Sequence, residues 1–133
     1  MSKKITVMLI DDSKIDLFIH NEFIRKMNIS NSVLQFNFAK EALEFLKTKD
    51  SSFWPDLILL DIHMPIMNGF DFLEEYGELP LLCRNKCKIV IVSSSLDFND
   101  KLKANESPFV LQLLEKPLNI GSLMKVLTQN NVI

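Results

Sequence analysis

The stretch "LILLDIHMPIMNG" (residues 57–69) decides the fold: an unbroken apolar run, one carboxylate at its end, then a loop carrying proline and glycine. Four consecutive apolar residues, with Pro55 and Asp56 before them, suit a strand covered on both faces rather than one with a wet side. Asp61 stands where that strand emerges. Taken alone, an aspartate at a strand end is an ordinary turn opener, so its meaning depends on the rest of the chain.

Outward from this strand, strand and helix patterns alternate in both directions without repeats. "KITVMLI" (4–10) reads as the first strand. A first helix follows, capped by Ser13 and carrying an apolar stripe at Ile15, Phe18, Ile19 and Phe23. "SVLQFNF" (32–38) alternates as a second strand, and Ala39, Ala42, Leu43 and Leu46 give a second helix its buried side. After strand three come a weak helix over 70–76 and an irregular segment with Gly77 and Pro80. "KIVIVSSS" (88–95) is strand four, a short polar helix spans 97–105, and "FVLQLLEKP" (109–117) is strand five. Ile120, Leu123, Met124 and Leu127 mark the last helix. The pattern predicts α/β architecture, a doubly wound (βα)₅ fold on a five-stranded parallel sheet.

The 133 residues, 47% of them hydrophobic, suffice for one domain over 1–133 with a sizeable core. Fifteen basic residues against 17 acidic ones, with the lysines scattered, offer no basic stripe for nucleic acid. The start "MSKKITVMLIDD" is too short in its apolar part for a secretory signal, and no run reaches the roughly 18 apolar residues of a membrane span, so a cytoplasmic protein with no membrane partner is expected. A zinc site would need all of Cys83, Cys87, His20 and His63; free thiols are the preferred reading. Only "TQNNVI" follows the last helix, and no effector domain is expected.

Ligands of such sheets bind beyond the carboxyl ends of the strands. Strand one ends in Asp11 and Asp12, strand three in Asp61, strand four in Ser93 and Ser94, and strand five in Lys116 followed by Pro117. Each alone could be a helix cap, a turn hydroxyl or a solvated charge. Together, three carboxylates at one edge repel one another unless a proton or cation neutralises them, and an all-oxygen set suits Mg²⁺. Mg²⁺ beside a lysine and a hydroxyl is also the equipment of phosphoryl transfer, with an aspartate able to accept the group. Gly69, Gly77 and Gly121 are too dispersed for a glycine-rich nucleotide loop, so the donor is expected to be something other than ATP held in a P-loop.

The ordered set "DD" (11–12), "LLDIHMPIMNG" (59–69), "VSSS" (92–95) and "EKP" (115–117) resembles the receiver domain of response regulators in bacterial two-component signalling, with its flavodoxin-like fold, over essentially the whole chain. The resemblance implies that Asp61 is the phosphoacceptor. It implies that Asp12, Asp61 and the backbone carbonyl of His63 bind Mg²⁺, with Asp11 helping through water, and that Lys116 contacts the phosphoryl group. Ser93 would be the switch hydroxyl, with Ser94 as the alternative if loop lengths shift the register. Lys116–Pro117 is the family's usual cis peptide position. The implied partners are a sensor histidine kinase or phosphotransfer protein and a target protein on the face of helix four, strand five and helix five. The implied state is a monomer or a weak phosphorylation-dependent dimer.

Two departures stand out. Leu113 occupies the place, three before the lysine, where many receivers carry an aromatic residue, and His63 puts a large imidazole two positions beyond the acceptor. Two other readings are kept beside the stand-alone phosphoacceptor. One is a Mg²⁺-dependent phosphohydrolase with an aspartyl nucleophile, for which Ile62 and His63 supply no general acid two positions on. The other is an interaction module that works without phosphorylation.

Overall fold

The computed structural model describes residues 4–94 and 97–133. Its elements run β1 (Ile5–Ile10), α1 (Lys14–Met27), β2 (Ser30–Phe36), α2 (Ala39–Thr48), a 3₁₀ turn (Ser51–Phe53), β3 (Leu57–Leu60), α3 (Gly69–Tyr76), α4 (Leu81–Lys86), β4 (Lys88–Ser93), α5 (Phe98–Glu106), β5 (Val110–Glu115) and α6 (Ile120–Gln129). All strand pairings are parallel, in the order β2-β1-β3-β4-β5.

The apolar runs are continuous because alternate residues serve two cores. Met8, Ile10, Ile58, Leu60, Ile89 and Ile91 pack under α2 and α3, whereas Val7, Leu9, Leu57, Leu59, Val90 and Val92 pack under α1 and α6. A strand with helices on both faces has no solvent side, so its periodicity disappears. The edge strands β2 and β5 keep exposed and half-buried positions.

Three expectations need correction. Of the stripe Ile15, Phe18, Ile19 and Phe23, Phe23 packs against the core, but Ile15 is 72% and Phe18 66% exposed, and the buried side of α1 is formed by Leu17, His20 and Ile24. A polar histidine on the inward face and bare apolar residues on the outward one reverse the pattern that apolar spacing detects. The irregular segment contains a sixth helix, α4, whose inward residue is Cys83; six residues are too few to display a helical period. Strand β2 begins two residues earlier than its alternation suggested, and Phe38 instead precedes α2 as its cap residue. Ser95, the third hydroxyl of "VSSS", lies outside the described residues. The two cysteines are buried free thiols with Sγ atoms 4.0 Å apart, far along the chain from both histidines, His20 on α1 and His63 in the loop after β3. Among the described residues no helix is long and apolar enough to cross a membrane.

Candidate phosphoryl and metal site

β1 and β3 are adjacent and in register, Ile10 beside Leu60, so the residues that follow them emerge side by side. This places carboxylate oxygens of Asp11, Asp12 and Asp61 within 4.8 Å of one another. Asp11 and Asp61 are buried and Asp12 is exposed. From the far side of the sheet, beyond β5, Lys116 reaches in. Its Nζ donates to Asp11 Oδ2 at 2.8 Å and lies 3.7 Å from Asp61 Oδ1. The Lys116–Pro117 peptide is cis.

One participant was not foreseen. Asp16, in the first turn of α1, accepts a hydrogen bond from Lys116 Nζ at 2.7 Å. Read along the chain it looks like an acidic residue complementing a helix N-terminus, and no local pattern ties it to a lysine 100 positions away. The Ser13 cap expected from sequence is present, its hydroxyl accepting from Asp16 N–H at 3.2 Å. Asp11 is fixed from below as well, because its Oδ1 accepts from Ser13 N–H at 3.0 Å.

The charges are unbalanced: three carboxylates, of Asp11, Asp16 and Asp61, lie within 4 Å of one ammonium, and Asp12 adds a fourth beside Asp11 and Asp61. Burial first, and the Asp11 carboxylate second, push the Asp61 carboxyl up to about 6, against the pull of Lys116. Burial opposes the charged form of Lys116, but its hydrogen bonds to Asp11 and Asp16 outweigh that and raise it. His20, one turn beyond Asp16, is buried, and burial lowers its imidazole. A dense, all-oxygen, anionic cluster with an exposed member is the donor set that Mg²⁺ prefers.

Ser93 ends β4 with its backbone carbonyl accepting from Lys116 N–H at 2.9 Å. Its Oγ is fully buried and has no hydrogen-bond partner among the described residues. A buried hydroxyl left unpaired costs free energy, so its persistence calls for an explanation. Ser94, the alternative, is exposed just past the strand.

The loop after Asp61 is tied back to it, since Gly69 N–H donates to Ile62 O at 2.8 Å and Met67 N–H to Pro65 O at 2.7 Å. Gly69 sits so close to the end of β3 that a Cβ there would lie 2.6 Å from Asp61 O and 2.9 Å from Ile62 Cα. Ile66 at the loop tip is 92% exposed with φ 69°, a conformation rarely adopted by β-branched residues. His63 directs Nε2 toward the Asp100 carboxylate at 3.4 Å, which joins this loop to the first turn of α5. Leu113 on β5 packs against the core on the α2 and α3 side.

Parallel strands with helices on both faces, and acidic residues and a lysine gathered at the strands' carboxyl ends, define a doubly wound α/β domain with an anionic site at its strand ends. The family model for the response regulator receiver domain matches residues 7–128, and the chain belongs to that family of phosphoacceptor signalling domains. It is 30% identical over 128 residues to two-component response regulator 24 of Arabidopsis thaliana, covering 96% of this chain and 85% of the relative. A response regulator receiver protein from Dyadobacter fermentans is 37% identical with a TM-score of 0.84, over 93% of this chain and 95% of that one. A two-component response regulator from Cytophaga hutchinsonii is 30% identical with a TM-score of 0.86, over 98% of both chains.

Proposed function

We propose that the chain is a cytoplasmic response regulator in which Asp61 accepts a phosphoryl group from a histidine kinase or phosphotransfer protein, switching a protein-interaction surface. The observation that carries this reading is the meeting of Asp61 with Asp11, Asp12 and Lys116 at one sheet edge, from segments up to 105 residues apart.

An oxygen of the Asp61 carboxylate attacks the phosphorus, the new O–P bond forms, and the bond to the donor breaks with its electron pair leaving on the donor. The chain's part is to hold the nucleophile still and to neutralise charge on the transferring oxygens. Lys116, already 3.7 Å from Asp61, supplies one positive charge. Asp12, Asp61 and the His63 carbonyl would hold Mg²⁺, with Asp11 acting through water, and the ion would supply the remaining neutralisation. Ser93 fits the switch hydroxyl better than Ser94, because its buried Oγ, without a partner among the described residues, gains one if an acceptor oxygen arrives. The output face would comprise α5, β5 and α6, the helices here numbered one higher because of α4. A separate target protein would read it.

Intact mass after incubation with acetyl phosphate tests this. A single Mg²⁺-dependent, base-labile phosphoryl adduct on the wild type, absent from Asp61→Asn, is the expected result. A folded wild type that takes no phosphoryl group, or a persistent adduct on the variant, would overturn it.

A further inference from the structure

Lys116 is flexible by nature, a four-carbon stem ending in an ammonium with three N–H donors. Here its side chain is only 10% exposed and two donors are committed, to Asp11 Oδ2 at 2.8 Å and Asp16 Oδ2 at 2.7 Å. A third N–H donor remains, and Asp61 Oδ1 lies 3.7 Å from Nζ, beyond hydrogen-bond reach but within that of a group attached to it. The two anchors are not equivalent. Asp11 belongs to the carboxylate trio that would share a cation, whereas Asp16 stands outside it. Asp16 is itself fixed, its backbone N–H bound to the Ser13 cap in the first turn of α1. An exposed lysine–aspartate pair does little, but a half-buried carboxylate holding a buried ammonium restricts where that charge can go.

We propose that Asp16 is a positioning residue that acts through Lys116: it holds the ammonium with one donor aimed at the acceptor carboxylate, independently of the cation-binding trio. This rests on the reading of Asp61 as phosphoacceptor. It extends the site to the first turn of α1.

The test combines a double-mutant cycle with chemical labelling. Asp16→Ala is expected to lower the initial rate of Asp61 phosphorylation by acetyl phosphate about tenfold, as misplacement of a positioned group does. The half-saturating Mg²⁺ concentration should stay within about twofold, since Asp16 is not in the trio, and Asp16→Glu should recover most of the rate. In a Lys116→Ala background the Asp16→Ala change should have no further effect. An equal effect in both backgrounds, or no effect in either, would overturn the proposal. Separately, with no phosphodonor present, acetylation of Lys116 by acetic anhydride, read by peptide mass spectrometry, should be about fivefold faster in Asp16→Ala as the ammonium is released from its anchor. Unchanged labelling would overturn the anchor even in a chain that accepts no phosphoryl group. A wild type without an adduct but with labelling that responds to Asp16 would instead count against the phosphoacceptor reading alone.

Discussion

Burial holds the Asp61 carboxyl near 6, above the range of an exposed aspartate, and this links its ionisation to folding. The folded chain binds that proton more tightly than the unfolded chain, whose value is the ordinary 3.8. Asp61's contribution to stability is therefore complete below 3.8 and is lost as pH rises through about 6. Asp61→Asn cannot ionise and escapes the loss. In buffer free of divalent cations the variant should exceed the wild type in stability at pH 7.5 by on the order of 2 kcal/mol, with the gap closing toward pH 4. Urea melts at the two pH values check both the size and the sign. The same residue that would receive the phosphoryl group thus weakens the resting fold, as expected of a carboxylate placed for reactivity rather than stability.

At the scale of elements, the loop from β3 to α3 is the most constrained part of the site. Gly69→Ala would drive a methyl group into the Asp61 carbonyl, and that backbone has no room to yield because it is hydrogen-bonded to β1 through Asp61 N–H and Ile10 O at 2.9 Å. The variant is expected to lose about 1–3 kcal/mol in a thermal melt, the usual cost of overpacking. Displacing the acceptor in the same way should slow acetyl phosphate labelling by about tenfold or more. The sequence made the elements readable wherever burial was simple. β1, β3 and β4 announce themselves because both faces are covered, and the polar residue ending each run marks the site. α1 was misoriented because His20 is buried and Ile15 and Phe18 are not. α4 escaped because six residues cannot show a period. Asp16 was invisible as a site residue because the tie it makes spans 100 positions, and nothing local to either partner reports the other.

For the molecule as a whole, the acidic edge gathers like charges whose repulsion a cation bound there would relieve. A ligand bound only by the folded state stabilises it by mass action, by about 2.7 kcal/mol at a hundred times its dissociation constant. Mg²⁺ should therefore shift the urea midpoint upward without changing the slope, and chelation should reverse the shift. Asp12→Asn should abolish most of that response and leave the midpoint in chelator nearly unchanged or slightly raised, since Asp12 is exposed and holds no core contact. A Mg²⁺ response that survives in Asp12→Asn would move the metal site elsewhere.

The bond between Lys116 and Asp11 joins residues 105 positions apart, Asp11 following the inner strand β1 and Lys116 following the edge strand β5. While a ribosome is still extending the chain, β1, β2 and β3 can meet before β5 exists, and the acceptor then stands among carboxylates with no ammonium beside it. Such a nascent chain displays the aspartate but lacks the charge that would draw a donor to it. If Asp61 is the acceptor, completion of the fifth strand is also the step that brings the ammonium to it, and a chain ending before β5 is expected to take up acetyl phosphate more slowly than the full chain.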